Sequence, residues 1–289
     1  MMHSMPAALE LRHAALHLSL RPDLGGSIEG LWFQGLPVLR SSAPGTLASV
    51  RLSACYPLLP YSNRIAHAQL RWNGTNYPLV KNAGNEAHAI HGVGWQKPWQ
   101  VLEAGSSFAT LRLVHQPDAA WPFAFAAVQT FSIKDNALEV TLSITNQSPG
   151  AVPVGLGWHP YFTKRADSDV QFATTGMWEM GSDKLPTQRS DSPGLDRTCA
   201  QLLIDNCFDG WSGSAMVRDS QLSTRLDSDL RRLVVYTEPT QDCIAIEPVS
   251  HVNNAMNQGV RHSELGVVVL AAGQSWQAHM RIQTKPTET

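Results

Sequence analysis

Residues 138–145 read LEVTLSIT, in which apolar and polar side chains alternate. This period of two is typical of a β-strand that buries one face and exposes the other. The preceding run VQTFSI at 128–133 has a similar pattern, and the polar residues KDN at 134–136 lie between the two runs. Two strand-like runs around a short polar segment predict a β-hairpin.

Further short strand-like runs occur on both sides of this hairpin. Asn73-Gly74 separates LRW at 70–72 from YPLV at 77–80, and Asn-Gly suits a type I′ turn because both central residues need positive φ. No segment carries an apolar helical stripe of a dozen residues, so alternating β-α-β order is not expected. The remaining strand-like runs lie at 16–20, 108–114, 231–237, 265–270 and 276–282.

These patterns predict an all-β fold, a large antiparallel β-sandwich that forms a single domain over residues 1–289. The polar stretch 182–200 contains Pro186, Pro193 and Gly194, and we expect it to form a long surface loop between strands. The nine tryptophans have no regular spacing, which disfavours a β-propeller.

Composition excludes several functional classes. The 22 Lys and Arg against 24 Asp and Glu give a formal net charge of -2, without the basic surface that nucleic acid or an anionic membrane attracts. No apolar run is long enough for a transmembrane helix, and charged residues interrupt the first twenty positions where a signal peptide would be apolar. We therefore expect a cytoplasmic protein, either a monomer or a homodimer.

The four cysteines are far apart in the sequence and include no C-x-x-C pair, so we expect buried free thiols. They are Cys55, Cys199, Cys207 and Cys243. The sequence also lacks a phosphate-binding loop, the dinucleotide glycine motif and a Gly-x-Ser-x-Gly elbow.

Glu247 is the first candidate functional residue, at the end of the apolar run IAIEP at 244–248. Alternation places Ala245 and Glu247 on the same face, and we expect the strand to end at Pro248 because proline cannot donate to a ladder. A partly buried carboxyl at this position should have a raised pKa. The alternative is a glutamate that faces solvent.

His159 is the second candidate, within GWHPYF at 157–162. Pro160 restricts the backbone of the residue before it and so holds the imidazole in one direction. An imidazole that titrates near neutrality can donate and recover a proton. The alternative is a hydrogen-bonded histidine in the core.

His88 and His91 could bind a metal together with His67 or His159. Residues at i and i+3 of an extended segment point to opposite sides, however, so a shared metal would need a turn. We therefore expect no metal site.

Two further positions carry polar groups suited to a ligand. Arg64, which follows Asn63, could bind the oxygens of a ligand or pair with a carboxylate. Asp205 begins DNCFD at 205–209 and could either serve a site or form an Asx turn between strands.

Taken in order, these motifs resemble those of the aldose 1-epimerase (galactose mutarotase) family. They span about residues 60–250, and the strand pattern fits beyond both ends. Each motif is short, but their conjunction on an all-β chain is specific. The residues that carry the resemblance are NRIA at 63–66, NG at 73–74, YPL at 77–79, IHG at 90–92, WHPYF at 158–162, DNCF at 205–208 and EP at 247–248.

The resemblance implies a β-supersandwich that binds a free aldohexose, such as galactose or glucose, and interconverts its α and β anomers. It implies no metal and no organic cofactor. By position, Glu247 resembles the general base and His159 the general acid. The implied sugar-binding residues are Arg64, His91, Asp205 and Asn63.

The sequence departs from the family pattern at two places. Ile90 precedes the His-Gly pair where leucine is common, and His67-Ala68 stands where an Asn-Gly pair is typical. The second change alters a loop near the cleft and leaves the sugar preference open. Trp95 or Trp158 could supply a flat apolar face for the sugar, and the alternative for each tryptophan is packing in the core.

Two alternatives remain open, a sugar-binding domain without catalysis and an epimerase for a hexose 6-phosphate. A binding module needs neither a base nor an acid, so the presence of both favours an enzyme. A phosphorylated substrate needs a cluster of basic residues, and those near the motifs form none. These basic residues are Arg64, Arg71, Lys97 and Lys164.

Overall fold

The computed structural model describes residues 8–288. Strands make up nearly all regular structure in this range, and the other elements there are five 3-10 helices of three residues each. These are Val50–Leu52, Ala66–Ala68, Gly94–Gln96, Ala255–Asn257 and Gly259–Arg261.

The strands of the first half are β1 (Leu9–His13), β2 (Leu16–Arg21), β3 (Ser27–Phe33), β4 (Leu36–Pro37), β5 (Pro57–Leu58), β6 (Arg64–Ile65), β7 (Gln69–Trp72), β8 (Thr75–Pro78), β9 (Ala89–Ile90), β10 (Gln100–Ala104), β11 (Phe108–His115), β12 (Phe125–Lys134) and β13 (Ala137–Asn146). Those of the second half are β14 (Val152–Val154), β15 (Gly157–Trp158), β16 (Tyr161–Thr163), β17 (Asp169–Ala173), β18 (Gly176–Met180), β19 (Pro186–Asp191), β20 (Gly194–Thr198), β21 (Ile204–Asp209), β22 (Ser214–Arg218), β23 (Leu222–Ser228), β24 (Arg232–Thr237), β25 (Cys243–Val249), β26 (Val268–Leu270) and β27 (Ser275–Pro286).

Two large antiparallel sheets form a β-sandwich, as the alternating pattern predicted. One sheet has nine strands in the order β10-β11-β12-β13-β27-β23-β22-β17-β20. The other has eight, in the order β19-β18-β21-β24-β25-β15-β5, with β16 also paired to β25. The smaller sheets are β1-β2-β3-β4, β14-β26, β6-β9 and β7-β8.

The core lies between apolar faces of the two large sheets. On β13, Val140, Leu142 and Ile144 are buried while the residues between them are more exposed. On β25 every residue is buried, so this strand is covered on both faces. Ile244 and Ile246 belong to the core, and the opposite face of β25 lies beneath the cleft described below.

Both predicted hairpins are confirmed. Lys134 is paired with Ala137 across Asp135 and Asn136, whose φ values are 48° and 58°. In the second hairpin β7 and β8 flank Asn73 and Gly74, with φ values of 46° and 76°. Positive φ at both central positions is the type I′ geometry that Asn and Gly favour.

The prediction of a long loop over 182–200 is wrong. This segment forms β19 and β20, which lie at one edge of the eight-stranded and of the nine-stranded sheet respectively. An edge strand is paired on one side and exposed on the other, so it does not need the apolar alternation of an inner strand. Pro186 begins β19, a position where a proline costs no ladder bond.

Two smaller predictions concern the strand-like run at 265–270 and the four cysteines. The run 265–270 forms a strand only over Val268–Leu270, because a turn with Gly266 at φ 91° precedes it. The four cysteines are free and buried, as expected.

Candidate active site

The six residues predicted to form the site line one cleft of about 260 Å³ on the face of the eight-stranded sheet that points away from the core. Four larger depressions, of about 580, 570, 430 and 420 Å³, lie elsewhere on the described surface. The one of 430 Å³ also combines a histidine with carboxylates, but its His279 is exposed, whereas the histidines of the cleft are buried. The six residues are Asn63, Arg64, His91, His159, Asp205 and Glu247.

Strand register places the two carboxylates of the cleft on the same face of the sheet. Val234 is paired with Glu247, and Tyr236 with both Asp205 and Ala245. Because directly paired residues and residues two apart share a face, all of these side chains point towards the cleft. Glu247 is 2 % exposed at the floor, whereas Asp205 lies nearer the rim.

The expectation that the strand ends at Pro248 is wrong, since β25 continues to Val249. Ile246 N donates to Pro160 O at 3.2 Å, and Ser250 N donates to Leu156 O at 2.9 Å. Position 248 therefore faces the interval between β15 and β16. A proline fits there because the interrupted neighbouring strand does not pair with position 248.

His159 lies in that interval, immediately before Pro160. Its main-chain N donates to Tyr56 O at 3.0 Å, which fixes the backbone. Its imidazole packs against the rings of Tyr56 and Tyr161, with centroid distances of 4.8 and 4.4 Å. The two tyrosine rings lie on adjacent sides of the imidazole, since their own centroids are 6.3 Å apart, and together they restrict its orientation.

His159 and Glu247 are in direct contact at the floor of the cleft, with Nε2 and Oε1 3.1 Å apart. The Tyr161 hydroxyl lies 3.4 Å from the same Nε2. The second atoms of the pair, Nδ1 of His159 and Oε2 of Glu247, are buried without a hydrogen-bond partner. Buried polar atoms without partners are uncommon, and a catalytic role is one of the reasons for which proteins keep them.

Burial moves the pKa values of this pair in opposite directions. It raises the pKa of Glu247 well above its ordinary value, with a further rise from Asp205 and an opposing effect of Arg64. It lowers the pKa of His159 to about 3, with the charge of Arg40 acting in the same sense. Both shifts favour an uncharged pair in which the proton shared by Oε1 and Nε2 lies on Glu247.

His91 and Arg64 form the wall opposite β25. Nδ1 of His91 accepts from Asn63 N at 3.1 Å, and burial lowers the pKa of His91 well below its ordinary value. Arg64 pairs with Glu86, at 3.3 Å from Nε and 3.2 Å from Nη2 to the same oxygen, and Nη1 donates to Asn63 Oδ1 at 3.1 Å. Arg64 therefore pairs with a carboxylate, and its position in the cleft wall is compatible with ligand binding as well.

His88 does not share a site with His91. Its Nδ1 accepts from His67 N at 2.9 Å, and its Nε2 lies 2.9 Å from Asp183 O, so the main chain occupies both ring nitrogens. Within residues 8–288, no group of three or more His, Cys, Asp or Glu side chains is arranged to hold a metal ion.

Trp158 does not face the cleft. It is buried on the core side, where Nε1 donates to Gln129 Oε1 at 3.2 Å, because alternation directs it opposite to His159. Trp95 does line the cleft and packs against Tyr56 at 5.5 Å between ring centroids. Of the two tryptophans considered, Trp95 is therefore the one placed to contact a ligand.

The structure also brings side chains to the cleft that the sequence did not reveal. Tyr161 lies within the quoted WHPYF motif, so its proximity to His159 could have been anticipated. The others, Arg51, Tyr56, Glu86, Lys184 and Tyr236, lie outside the functional motifs. Segments that are distant in the sequence bring them to the cleft, so they leave no local signal.

Three cations line the cleft, namely Arg51, Arg64 and Lys184, whereas the sequence suggested no basic cluster. Arg64 is paired with Glu86, and Lys184 Nζ lies 3.9 Å from Asp205 Oδ2. The other basic residues near the motifs do not line the cleft. Lys97 pairs with Asp118, Lys164 donates to Glu238 O, and Arg71 lies on the β7-β8 hairpin.

The fold and this cleft define an all-β sandwich protein with a buried imidazole–carboxylate pair. The sequence profile described as aldose 1-epimerase matches residues 8–283. The chain belongs to this family, which confirms the resemblance inferred from the motifs. No helix in the described range is long and apolar enough to cross a membrane.

Relatives cover nearly the full length of the chain. YphB of Escherichia coli K12, described as uncharacterized, is 28% identical over 300 residues, which cover 95% of this chain and 98% of YphB. YihR of the same organism, also uncharacterized, is 27% identical over 276 residues, covering 90% of this chain and 89% of YihR.

Solved structures share the fold. A proposed aldose 1-epimerase from Escherichia coli K12 has a TM-score of 0.88 at 25% identity, covering 97% of this chain and 99% of that one. A galactose mutarotase-like protein from Clostridium acetobutylicum has a TM-score of 0.84 at 18% identity, covering 96% and 95%. The second likeness is evidence of the fold alone.

Proposed function

We propose that the protein is an aldose 1-epimerase that interconverts the α and β anomers of a free aldohexose such as galactose or glucose. The observation that carries the proposal is the 3.1 Å contact between His159 and Glu247 at the floor of a polar cleft. A buried acid–base pair of this kind, with one unpartnered atom on each member, is suited to move two protons on a single small molecule.

The reaction needs no oxidant and no water. Glu247 removes the proton from the anomeric hydroxyl while His159 donates a proton to the ring oxygen, and the bond between the anomeric carbon and the ring oxygen breaks. The aldehyde rotates about its bond to the next carbon, and the ring closes on the other face with both protons returned. Each of the two groups typically contributes about 10²–10⁴-fold to the rate.

The protonation state of the His159–Glu247 pair fits this order of reaction steps. Ring opening converts an ionised pair into a protonated Glu247 and a neutral His159, which is the state that burial favours. The cleft therefore stabilises the protonation state that accompanies the open-chain aldehyde, with Glu247 protonated and His159 neutral. Before ring opening the shared proton must pass from Glu247 to His159, and the direct contact between Oε1 and Nε2 provides the path.

The wall and rim of the cleft offer groups that suit sugar hydroxyls. Asp205 can accept hydrogen bonds and Asn63 can accept or donate them. His91 and Arg64 can donate to oxygens that gain negative charge, and Trp95 offers an apolar ring face. Two of the three cations have a carboxylate close by. This balance favours an uncharged sugar over a hexose 6-phosphate.

Polarimetry on freshly dissolved α-D-galactose and α-D-glucose tests the proposal. The wild type should accelerate mutarotation, and Glu247→Gln and His159→Ala should each lower the rate by about 10²–10⁴-fold. Glu139→Gln on the exposed face of β13 is the matched control and should leave the rate unchanged. No acceleration with either sugar, together with sugar binding detected by calorimetry, would instead support the sugar-binding alternative.

A further inference from the structure

Arg40 is a cation beside the candidate active site that has no carboxylate partner among the described residues. Its guanidinium is held by main-chain oxygens, since Nη2 donates to Ser53 O at 2.6 Å and to Arg51 O at 2.9 Å, and Nε to Ser53 O at 3.2 Å. Five N–H donors in a rigid plane make such a guanidinium position well defined. Its charge is therefore fixed in place without being neutralised.

This guanidinium stacks on the ring that holds the catalytic imidazole. Arg40 Cζ lies 3.8 Å from the Tyr161 ring centroid, and the Tyr161 ring is stacked on His159 at 4.4 Å with an interplanar angle of 27°. The main chain reinforces the contact, because Arg40 N donates to Tyr161 O at 2.7 Å. These distances put the positive charge within about 8 Å of the imidazole centre, where charges still interact appreciably in a protein.

We propose that Arg40 is a positioning residue that holds Tyr161 against His159 and places a fixed positive charge behind the His159–Glu247 pair. This inference rests on the proposed function for its catalytic meaning. The contact between a guanidinium and an aromatic face stabilises the stack. The positive charge favours release of the proton that the pair holds, and so makes His159 a stronger acid towards the ring oxygen.

The other groups around the imidazole do not supply this charge. Burial raises the pKa values of Tyr56, Tyr161 and Cys55 and lowers that of His91, so all four remain uncharged near neutral pH. The other charges of the cleft act on other groups, namely Arg64 and Asp205 on Glu247, Arg51 on His91, and Lys184 on Glu86. Arg40 is the cation whose charge acts together with burial to lower the pKa of His159.

The test compares Arg40→Gln with Arg40→Lys, which keeps the charge. Removing a positive charge makes the pair hold its shared proton more tightly. In Arg40→Gln both limbs of the pH profile of kcat/KM should therefore move to higher pH, by on the order of one unit. Arg40→Lys should stay near the wild type. Arg112→Gln, which removes an exposed charge on β11, should not shift the profile.

A second readout does not depend on turnover. Imidazole ¹⁵N chemical shifts of His159 report the pH at which the pair loses its shared proton, and this midpoint should rise in Arg40→Gln by the same amount. Equal midpoints in Arg40→Gln and the wild type overturn the inference. If no aldose is turned over, the proposed function fails while the midpoint still decides the role of Arg40. Arg40→Met keeps the aliphatic contact with Tyr161 and replaces the glutamine variant if the latter does not fold.

Discussion

Asn63 and His91 are joined by two hydrogen bonds, one between their main chains and one from the Asn63 main chain to the His91 ring. Asn63 N donates to His91 Nδ1 at 3.1 Å, and His91 N donates to Asn63 O at 2.9 Å. Both residues have positive φ, 54° and 61°, a conformation uncommon for residues other than glycine. Because Nδ1 accepts and burial keeps the ring neutral, Nε2 carries the proton. The surrounding loop thus presents His91 to the cleft as a hydrogen-bond donor with a defined tautomer.

His91→Ala should lower kcat/KM by about 10–100-fold, which is the effect of losing one donor to an oxygen that gains charge in the transition state. The measurement is polarimetry at several sugar concentrations. His279→Ala removes an exposed histidine on the outer face of β27 and should have wild-type kinetics. A His91→Ala enzyme with unchanged kcat/KM would show that this donor takes no part in the reaction.

Gly92→Ala should destabilise the protein and disturb the cleft, because Gly92 supports the backbone of His91. Gly92 has a φ of 69°, and a Cβ there would lie 2.1 Å from Leu59 O. The strain should lower the free energy of unfolding by about 1–3 kcal/mol or more, as measured by urea denaturation. Gly35→Ala is the matched control, since Gly35 also has positive φ but open space around it. An equal loss in both variants would mean that the contact with Leu59 adds nothing.

Sequence periodicity predicted the parts of the fold in which one face of a strand is buried. The runs at 128–133 and 138–145 alternate because one face of β12 and β13 packs in the core, and Asn73-Gly74 reveals its turn because few residue pairs adopt that geometry. The edge strands β19 and β20 were missed because they are largely exposed, so apolar periodicity is weak there.

The candidate site shows the same division between local and long-range information. His159 and Glu247 were found because each stands in a local motif, and the structure brings them into contact. Lys184 comes from the turn between β18 and β19, and its approach to Asp205 depends on how distant strands pair. Trp158 was wrongly considered for the cleft, although alternation from His159 already directs it towards the core.

Glu247→Gln should change how stability depends on pH. The pKa of Glu247 is raised in the folded protein, so its protonated form contributes stability that is present below the ordinary pKa of 4.5 and is lost as pH rises towards the folded value. Glutamine does not titrate, so the variant lacks this loss. The free energy of unfolding of the wild type relative to the variant should therefore fall with pH, by at most about 1.4 kcal/mol per unit. Urea unfolding at about pH 5.5 and about pH 8.5 measures it, and a constant difference contradicts the prediction.

His159→Gln should change how the free energy of unfolding depends on pH in the acidic range. The pKa of His159 is lowered to about 3, so its neutral form contributes stability that is present above the ordinary value of 6.5 and is lost as pH falls towards the folded value. The variant should therefore lose less stability than the wild type between these two values. Thermal or urea unfolding over that range measures the difference, and parallel curves for the two proteins would show that burial does not perturb this imidazole.

Asp205→Asn should move the pH profile in the direction opposite to Arg40→Gln. The carboxylate of Asp205 adds to burial in raising the pKa of Glu247, so removal of its charge should lower that pKa and shift the alkaline limb of kcat/KM to lower pH. The amide keeps one oxygen that can accept from a sugar hydroxyl but loses the charge, so KM should rise by about 10-fold. Asp227→Asn, which removes a carboxylate on β23 outside the cleft, is the matched control and should change neither quantity. A rise in KM without a shift of the limb would assign Asp205 to sugar binding alone, whereas a shift without a rise in KM would assign it to tuning Glu247.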